Sequence, residues 1–380
     1  MRKNKLFIVG IPALVFGLIL SGCPTESPDD DPVIDPASTL IGIAMPESNA
    51  ERWKKDGEAL KSYAESKGYK TELAFGNADQ AVQNKQIEDF LTNGAKLIVA
   101  SKINDGVGTA IAAAASDNVA VIAYDRLIMN SGDYDYYITF NNFKVGQFQG
   151  QGIEQALNLK AAAADNPKYI TLFAGSLNDN NAKFFFDGAM NILNPYIEKG
   201  ALIVVGPNPK TSADANFSQV STEDWDPNNA KTRMESLLSG GAKDLVLDAV
   251  LAPNDSIARA IIEACLADDK YTGKLPVITG QDAEFASALL IKEGKQYMTV
   301  FKNTAKLAEA AIILADQILK RQTLSVPGAD LASGSLGSIG NTGTKTVKAY
   351  ILEPILVTKE NLNVVIDAGY FSAEQASQLK

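Results

Sequence analysis

Histidine is absent from the chain's 380 residues, and cysteine occurs only twice. Without imidazole the chain lacks the usual general base at neutral pH and the commonest metal ligand. Two cysteines allow at most one internal disulfide, so stability must come from packing rather than a covalent framework. Cationic residues are also in short supply: 35 Lys and Arg stand against 45 Asp and Glu, a net charge of −10. A chain this acidic repels nucleic acid and anionic lipid surfaces. The apolar run Leu6–Leu20 is about fifteen residues, short of the roughly twenty needed to cross a bilayer.

That run follows Arg2, Lys3 and Lys5 and ends in Leu20-Ser21-Gly22-Cys23. A basic start, an apolar stretch and small residues before a cut read as a secretory signal over 1–22. The cysteine directly after it resembles the bacterial lipobox, which implies that Cys23 becomes a lipidated first residue. Removing 1–22 takes away three cations and no acids, moving the net charge from −10 to −13. Cys265 is then the only thiol left. Residues 23–38, continuing as PTESPDDDPVIDPAS, read as a flexible solvated linker with a reach of about 50 Å.

Beyond the linker the composition is that of an ordinary globular protein, 46% hydrophobic and 21% charged. Its length exceeds what one core normally serves, so two domains are expected. Apolar runs at Leu40–Met45, Thr71–Phe75, Lys96–Ala100, Val119–Tyr124, Tyr136–Phe140, Tyr169–Phe173, Ala201–Val205, Leu245–Leu251, Pro276–Thr279 and Tyr297–Phe301 read as strands. Most lack polar alternation, as strands covered on both faces do. Helical spacing separates them, for example over Glu51–Lys67, Gln80–Asn93 and Asn181–Lys199, each followed by Gly. The expected fold is α/β, with two Rossmann-like parallel-sheet lobes.

Ligands in such sheets sit beyond the carboxyl ends of the strands. Those ends carry Asp125-Arg126, Asn141-Asn142, Asp179-Asn180-Asn181, Asn254-Asp255, Gln281-Asp282 and Lys302-Asn303, with Trp53 and Trp225 in connecting segments. A sugar hydroxyl donates and accepts at once, so it suits carboxylates beside amides and cations. The apolar face of a pyranose suits an indole. An anion would favour a one-sided basic cluster. Each residue also has a plainer role: Asp and Asn after strands cap helices, Asp125-Arg126 makes a local ion pair, and Trp53 at helical spacing serves a core. Asp226-Pro227 reads as an N-cap with Pro at N1. Asp224, Asp226, Asn228 and Glu235 imitate a calcium loop, but Asn229 replaces the glycine it needs, so no metal is expected.

Taken in order, Glu51-Arg52-Trp53, Ala123-Tyr124-Asp125-Arg126, Thr139-Phe140-Asn141-Asn142, Asp179-Asn180-Asn181-Ala182, Trp225-Asp226-Pro227, Asn254-Asp255 and Gly280-Gln281-Asp282-Ala283 resemble the aldose-binding type I periplasmic binding proteins of ABC transporters, the xylose-binding and multiple-sugar-binding receptors. The resemblance spans about 39–380. It implies that Arg52, Asp125, Arg126, Asp179, Asn181, Asn254, Asp282 and Lys302 hydrogen-bond a monosaccharide such as xylose or glucose, with Trp53 and Trp225 stacked on its faces. It also implies three hinge crossovers, placed near Asn141–Asn142, Phe301–Lys302 and Val347–Ala349. The lobes are then 39–141 with 302–348, and 142–301 with 349–380. The expected protein is a monomeric, non-enzymatic lipoprotein, periplasmic or on the cell surface. It needs no cofactor, serves an ABC permease and, in some such receptors, a chemoreceptor. A nucleoside or autoinducer receptor of the same lobes is the alternative. The Gly/Ser-rich stretch Gly328–Gly343 departs from the family pattern and bears on the cleft rim.

Overall fold

The computed structural model describes residues 34–48, 51–332 and 338–380. The export signal, Cys23 and the acidic segment up to residue 33 lie outside the described residues. The first half runs β1 (Leu40–Met45), α1 (Glu51–Ser66), β2 (Lys70–Phe75), α2 (Gln80–Thr92), β3 (Leu97–Ala100), α3 (Gly108–Ser116), β4 (Ala120–Tyr124) and β5 (Tyr136–Phe140). The second half runs α4 (Asn142–Ala156), β6 (Lys168–Leu172), α5 (Asn180–Glu198), β7 (Leu202–Val204), α6 (Pro227–Ser239), β8 (Ala249–Leu251), α7 (Asp255–Leu266), β9 (Val277–Ile278), α8 (Phe285–Lys292) and β10 (Met298–Phe301). The chain then returns through α9 (Thr304–Leu319), β11 (Asp330–Leu331) and β12 (Lys348–Leu352), and ends in β13 (Ile355–Thr358), α10 (Asn363–Asp367) and α11 (Ala373–Leu379).

Two sheets result. The larger has the order β11-β12-β5-β4-β3-β1-β2, parallel except for β11, and the smaller is β7-β6-β8-β9, parallel throughout. Both place their second strand outside the first and build the rest on its other side, so each has a switch point, β1/β3 and β6/β8. Burial on both faces explains the unbroken apolar runs: every residue of β3 and β8 is buried. Helix ends fall at Gly94 (φ +85°) and Gly200 (φ +72°), where the left-handed turn favours glycine. Among the described residues no helix is long and apolar enough to cross a membrane. Cys265 is buried in the second half's core, where burial pushes its thiol up to about 12.

Three crossovers connect the halves. After β5 the chain passes through Asn141 into α4, which packs on α5. After β10 it returns through Lys302–Asn303 into α9, which packs on α1. The third differs from expectation. Residues 348–352 form β12, which pairs with β5 in the first sheet, so the chain leaves that sheet at Glu353–Pro354, not at Val347–Ala349. The Val347–Ala349 placement came from the family resemblance alone; the TVKAYILEPILVT run is two strands, one per half. β13 pairs antiparallel with β10. Leu245–Leu251 was also too long, because only Ala249–Leu251 is strand. Before it, side chains claim the backbone: Asp248 accepts from the Tyr169 amide, and the Leu247 amide donates to the Tyr271 hydroxyl.

The linker expectation is shortened as well. Asp35 caps a 3-10 turn at Pro36–Ser38, and Thr39 donates its hydroxyl to the Asp35 carbonyl at 2.8 Å. The described residues of the Gly/Ser-rich stretch reach the sheet edge, where β11 pairs with β12 and Thr342 donates to the Ser131 carbonyl at 3.0 Å.

Helices α4 and α5 approach backbone to backbone. An added Cβ at Gly146 would lie 1.9 Å from the Phe185 carbonyl oxygen, and one at Gly188 would lie 2.0 Å from that of Phe143. Neither helix can give way cheaply, since the obstacles are backbone atoms. Gly146→Ala and Gly188→Ala are each expected to cost about 1–3 kcal/mol in urea unfolding. Gly108→Ala, where nothing lies within 4 Å, should leave the midpoint unchanged or raise it. Unchanged midpoints in the first two variants would show that the contact tolerates a methyl group.

Candidate ligand-binding site

The carboxyl ends of both sheets open onto one cavity of about 600 Å³. Arg52 and Trp53 come from the first turn of α1, Asp125 and Arg126 from the end of β4. Asp179 and Asn181 begin α5, Trp225 precedes α6, Asn254 caps α7, Asp282 follows β9 and Lys302 follows β10. All ten residues singled out as ligand contacts line it.

Charge organises the cavity. Arg52 reaches Asp125 at 2.7 Å, Asp56 at 3.6 Å and Asp282 at 3.8 Å. Burial opposes its charge, but those carboxylates overcome it and raise Arg52 well above its ordinary value. Burial likewise opposes ionisation of Asp125, yet Arg52 and then Lys302 hold its carboxyl below the usual range. Lys302, 1% exposed, lies 3.1 Å from Asp282. Arg126 pairs with Asp179 at 3.2 Å. The plainer alternative, a local Asp125–Arg126 ion pair, is therefore not formed: consecutive side chains leaving a strand point apart, and each finds a partner on another element.

Backbone strain accompanies these groups. Asp125 (φ +59°), Asp224 (φ +49°), Trp225 (φ +59°), Asp282 (φ +93°) and Ala283 (φ +49°) all have left-handed backbone, which costs a non-glycine residue roughly 1–3 kcal/mol. Hydrogen bonds over-determine the geometry. The Asp125 carbonyl accepts from the Tyr137 hydroxyl (2.7 Å), the Asn181 amide (2.9 Å) and the Thr139 hydroxyl (3.0 Å). Asn142, at the first crossover, donates to the Asn181 side-chain oxygen at 2.8 Å. The loop around Asp282 hangs on buried Asp255, which accepts from Gln296 (2.8 Å), the Glu284 amide (2.9 Å) and Thr299 (3.0 Å). Burial, followed by nearby Glu284, raises the Asp255 carboxyl well above its ordinary value.

The two tryptophans differ. Trp53 is 4% exposed, with the Arg52 and Arg126 guanidiniums 4.4 and 5.0 Å from its ring centre, so it belongs to both core and cavity wall. Trp225 is half-buried, edge-on to Phe185 at 6.3 Å. Its ring rests on Gly175, where a Cβ would come within 2.1 Å. The plainer readings also hold for capping: the side chains of Asp179, Asp226 and Asn254 each accept from a first-turn amide. No described residue of 328–343 lines the cavity, so the expectation that this stretch shapes the rim is not met. Residues not foreseen as lining are Glu47, Phe185, Asp224, Ser256, Arg259 and Glu284. Asp226 and Pro227, quoted beside Trp225, and Gln281, quoted at its strand end, also line it. Phe185 is hidden in the apolar stripe of α5.

Removing Asp125 leaves Arg52 buried without its nearest partner. Asp125→Ala is expected to cost about 3–5 kcal/mol of unfolding free energy in urea. Asp125→Asn, which tolerates the left-handed backbone, should cost less. Equal, negligible losses would mean that Arg52 does not depend on this carboxylate.

Residues 41–323 match the family described as periplasmic binding protein domain. A multiple sugar-binding periplasmic receptor, ChvE, of Rhizobium radiobacter is 38% identical over 88% of this chain and 91% of its own length. The D-xylose-binding periplasmic protein of Escherichia coli is 34% identical, covering 87% and 90% respectively. An ABC transporter solute binding protein from Clostridium phytofermentans, solved with bound β-D-glucose, superposes with a TM-score of 0.79 at 37% identity, over 89% of this chain and all of that one.

Proposed function

This chain belongs to the periplasmic binding protein family, and from that premise we propose that it is an extracytoplasmic receptor that captures a monosaccharide and delivers it to an ABC permease. The observation that carries the reading is the charge pattern of the cavity. Seven carboxylates (Glu47, Asp125, Asp179, Asp224, Asp226, Asp282, Glu284) face four cations (Arg52, Arg126, Arg259, Lys302). The excess of acid disfavours an anion. Paired charges, each with donors or lone pairs to spare, suit a neutral polyol.

Asp125, Arg126, Asp179, Asn181, Asn254, Asp282, Lys302 and Arg52 bond the hydroxyls in this reading, and Trp53 and Trp225 meet the apolar faces. The ten side chains come from both halves, so a ligand touching all of them favours the arrangement in which the halves stand together. The motion pivots on the crossovers at Asn141, Lys302–Asn303 and Glu353–Pro354. The lobes are 39–141 with 303–352, and 142–301 with 355–380. Closure presents one joint surface to the permease, and the receptor acts as a monomer. A chemoreceptor is a second partner for that same surface.

A nucleoside or autoinducer ligand is not favoured. The relatives described above are sugar receptors by name, and a base would leave most of the charged groups without hydroxyl partners. Calorimetry decides between the two. D-Xylose or D-glucose is expected to bind with a Kd near or below ~1 μM, about −8 kcal/mol, and inosine to give no heat. Binding of inosine with no response to any aldose would overturn the reading. The Leu20–Cys23 signal further supports a lipid tether at Cys23. The mature protein should partition into detergent, and Cys23→Ser should stay in the aqueous phase.

A further inference from the structure

One buried carboxylate next to the cavity takes no part in lining it. Asp56 sits one turn after Arg52 on α1, is 0% exposed and lies 3.6 Å from the Arg52 Nε. It is the only one of the three carboxylates around Arg52 that no ligand can reach, since Asp125 and Asp282 both face the cavity. We propose that Asp56 is a positioning residue: it holds the Arg52 guanidinium from behind and thereby sets the orientation and charge that Arg52 offers to a ligand. The proposal rests on the sugar-receptor reading above.

The geometry supports a positioning role over a merely structural one. A guanidinium has five donors, and Asp56 engages the Nε side while Asp125 engages one terminal nitrogen and Asp282 lies nearest the other. The fork is thereby held from three directions. Without the hold on Nε, the guanidinium is left with only its cavity-facing partners, Asp125 and Asp282, the groups that the sugar hydroxyls need. Other elements also face Asp56. Tyr124 comes from β4, Thr304 from α9 and Tyr370 from the segment after α10, and the charges of Asp125 and Lys302 reach it across the cavity wall. Burial lifts the Asp56 carboxyl to about 6, against the pull of Arg52, Thr304 and Lys302. The two tyrosines are pushed up, and Asp125 is held down.

The sign follows from that shift. Below pH 6 Asp56 is neutral and Arg52 loses its rear partner, so affinity is lost as pH falls. A tenfold weakening corresponds to a carboxyl about one pKa unit lower in the complex than in the free protein. Folding has the opposite dependence. An acid whose folded pKa is raised contributes more stability as it becomes protonated, so Asp56→Asn should fold at least as stably as the native chain at pH 7.

The test is calorimetric titration of the native protein and Asp56→Asn with D-xylose and D-glucose from pH 5 to 8. The native Kd is expected to rise about tenfold toward pH 5, with its midpoint between 5 and 6. Asp56→Asn should bind about tenfold more weakly at pH 8, show no such step, and regain part of both in Asp56→Glu. A native Kd that is flat with pH overturns the proposal without any variant. A step that survives in Asp56→Asn also overturns it and assigns the titration to another carboxylate, Asp255 being the other buried one that is pushed up among the described residues. If the native protein binds no aldose, the sugar reading itself fails; sugar binding unaffected by the substitution defeats only the role of Asp56.

Discussion

Arg52 is a guanidinium taken almost wholly out of water, and the geometry of the cavity follows from how its charge is met. An unpaired buried cation costs several kcal/mol, so the fold must bring carboxylates to it. It does so from three directions: Asp56 from the same helix, Asp125 from the end of β4 and Asp282 from beyond β9. Two of those come from different sheets, so the ion cluster exists only when both halves are built and facing each other. Lys302 joins it through Asp282 at the second crossover. The cavity's charged groups and the crossover thus share one electrostatic unit, and the halves cannot shift relative to each other without altering the charges that face the cavity.

The cluster is precise because its backbone is. Four residues at the cavity wall, Asp125, Asp224, Trp225 and Asp282, have left-handed φ values without being glycine. Such conformations persist only when their surroundings over-determine them, and here three donors converge on the Asp125 carbonyl while Asp255 anchors the loop bearing Asp282. Strain is stored where directionality matters. Trp225, strained itself, lies on the bare backbone of Gly175, so a flat ring and a missing side chain make one surface.

Much of this was legible in the sequence, for identifiable reasons. Parallel strands covered on both faces leave unbroken apolar runs, so β1 to β10 could be found, and polar residues at their carboxyl ends point to the cavity because topology puts all those ends on one side. The ten named residues do share one cavity. What was not legible depended on pairing across distance. Nothing local tells whether Asp125 meets Arg126 beside it or Arg52 some seventy positions earlier. Asp56 and Asp255 look like ordinary helix carboxylates until burial is known. The strand β12 was not legible because the resemblance put a crossover at Val347–Ala349, inside it, and Phe185 because an apolar helix face does not say what it touches. Glu47, Arg259 and Glu284 gave no sign at all.

Two of the ion pairs, Arg52–Asp282 and Arg126–Asp179, run from one half of the molecule to the other. Close together and mostly buried, they are little affected by dissolved salt. Once the halves part beyond a Debye length, about 8 Å at physiological salt, their attraction is screened away. Ionic strength therefore acts on the approach of the halves rather than on their grip. A receptor working outside the cytoplasm meets media whose salinity the cell does not hold constant, and its capture rate would follow that salinity even where its final hold on a ligand does not.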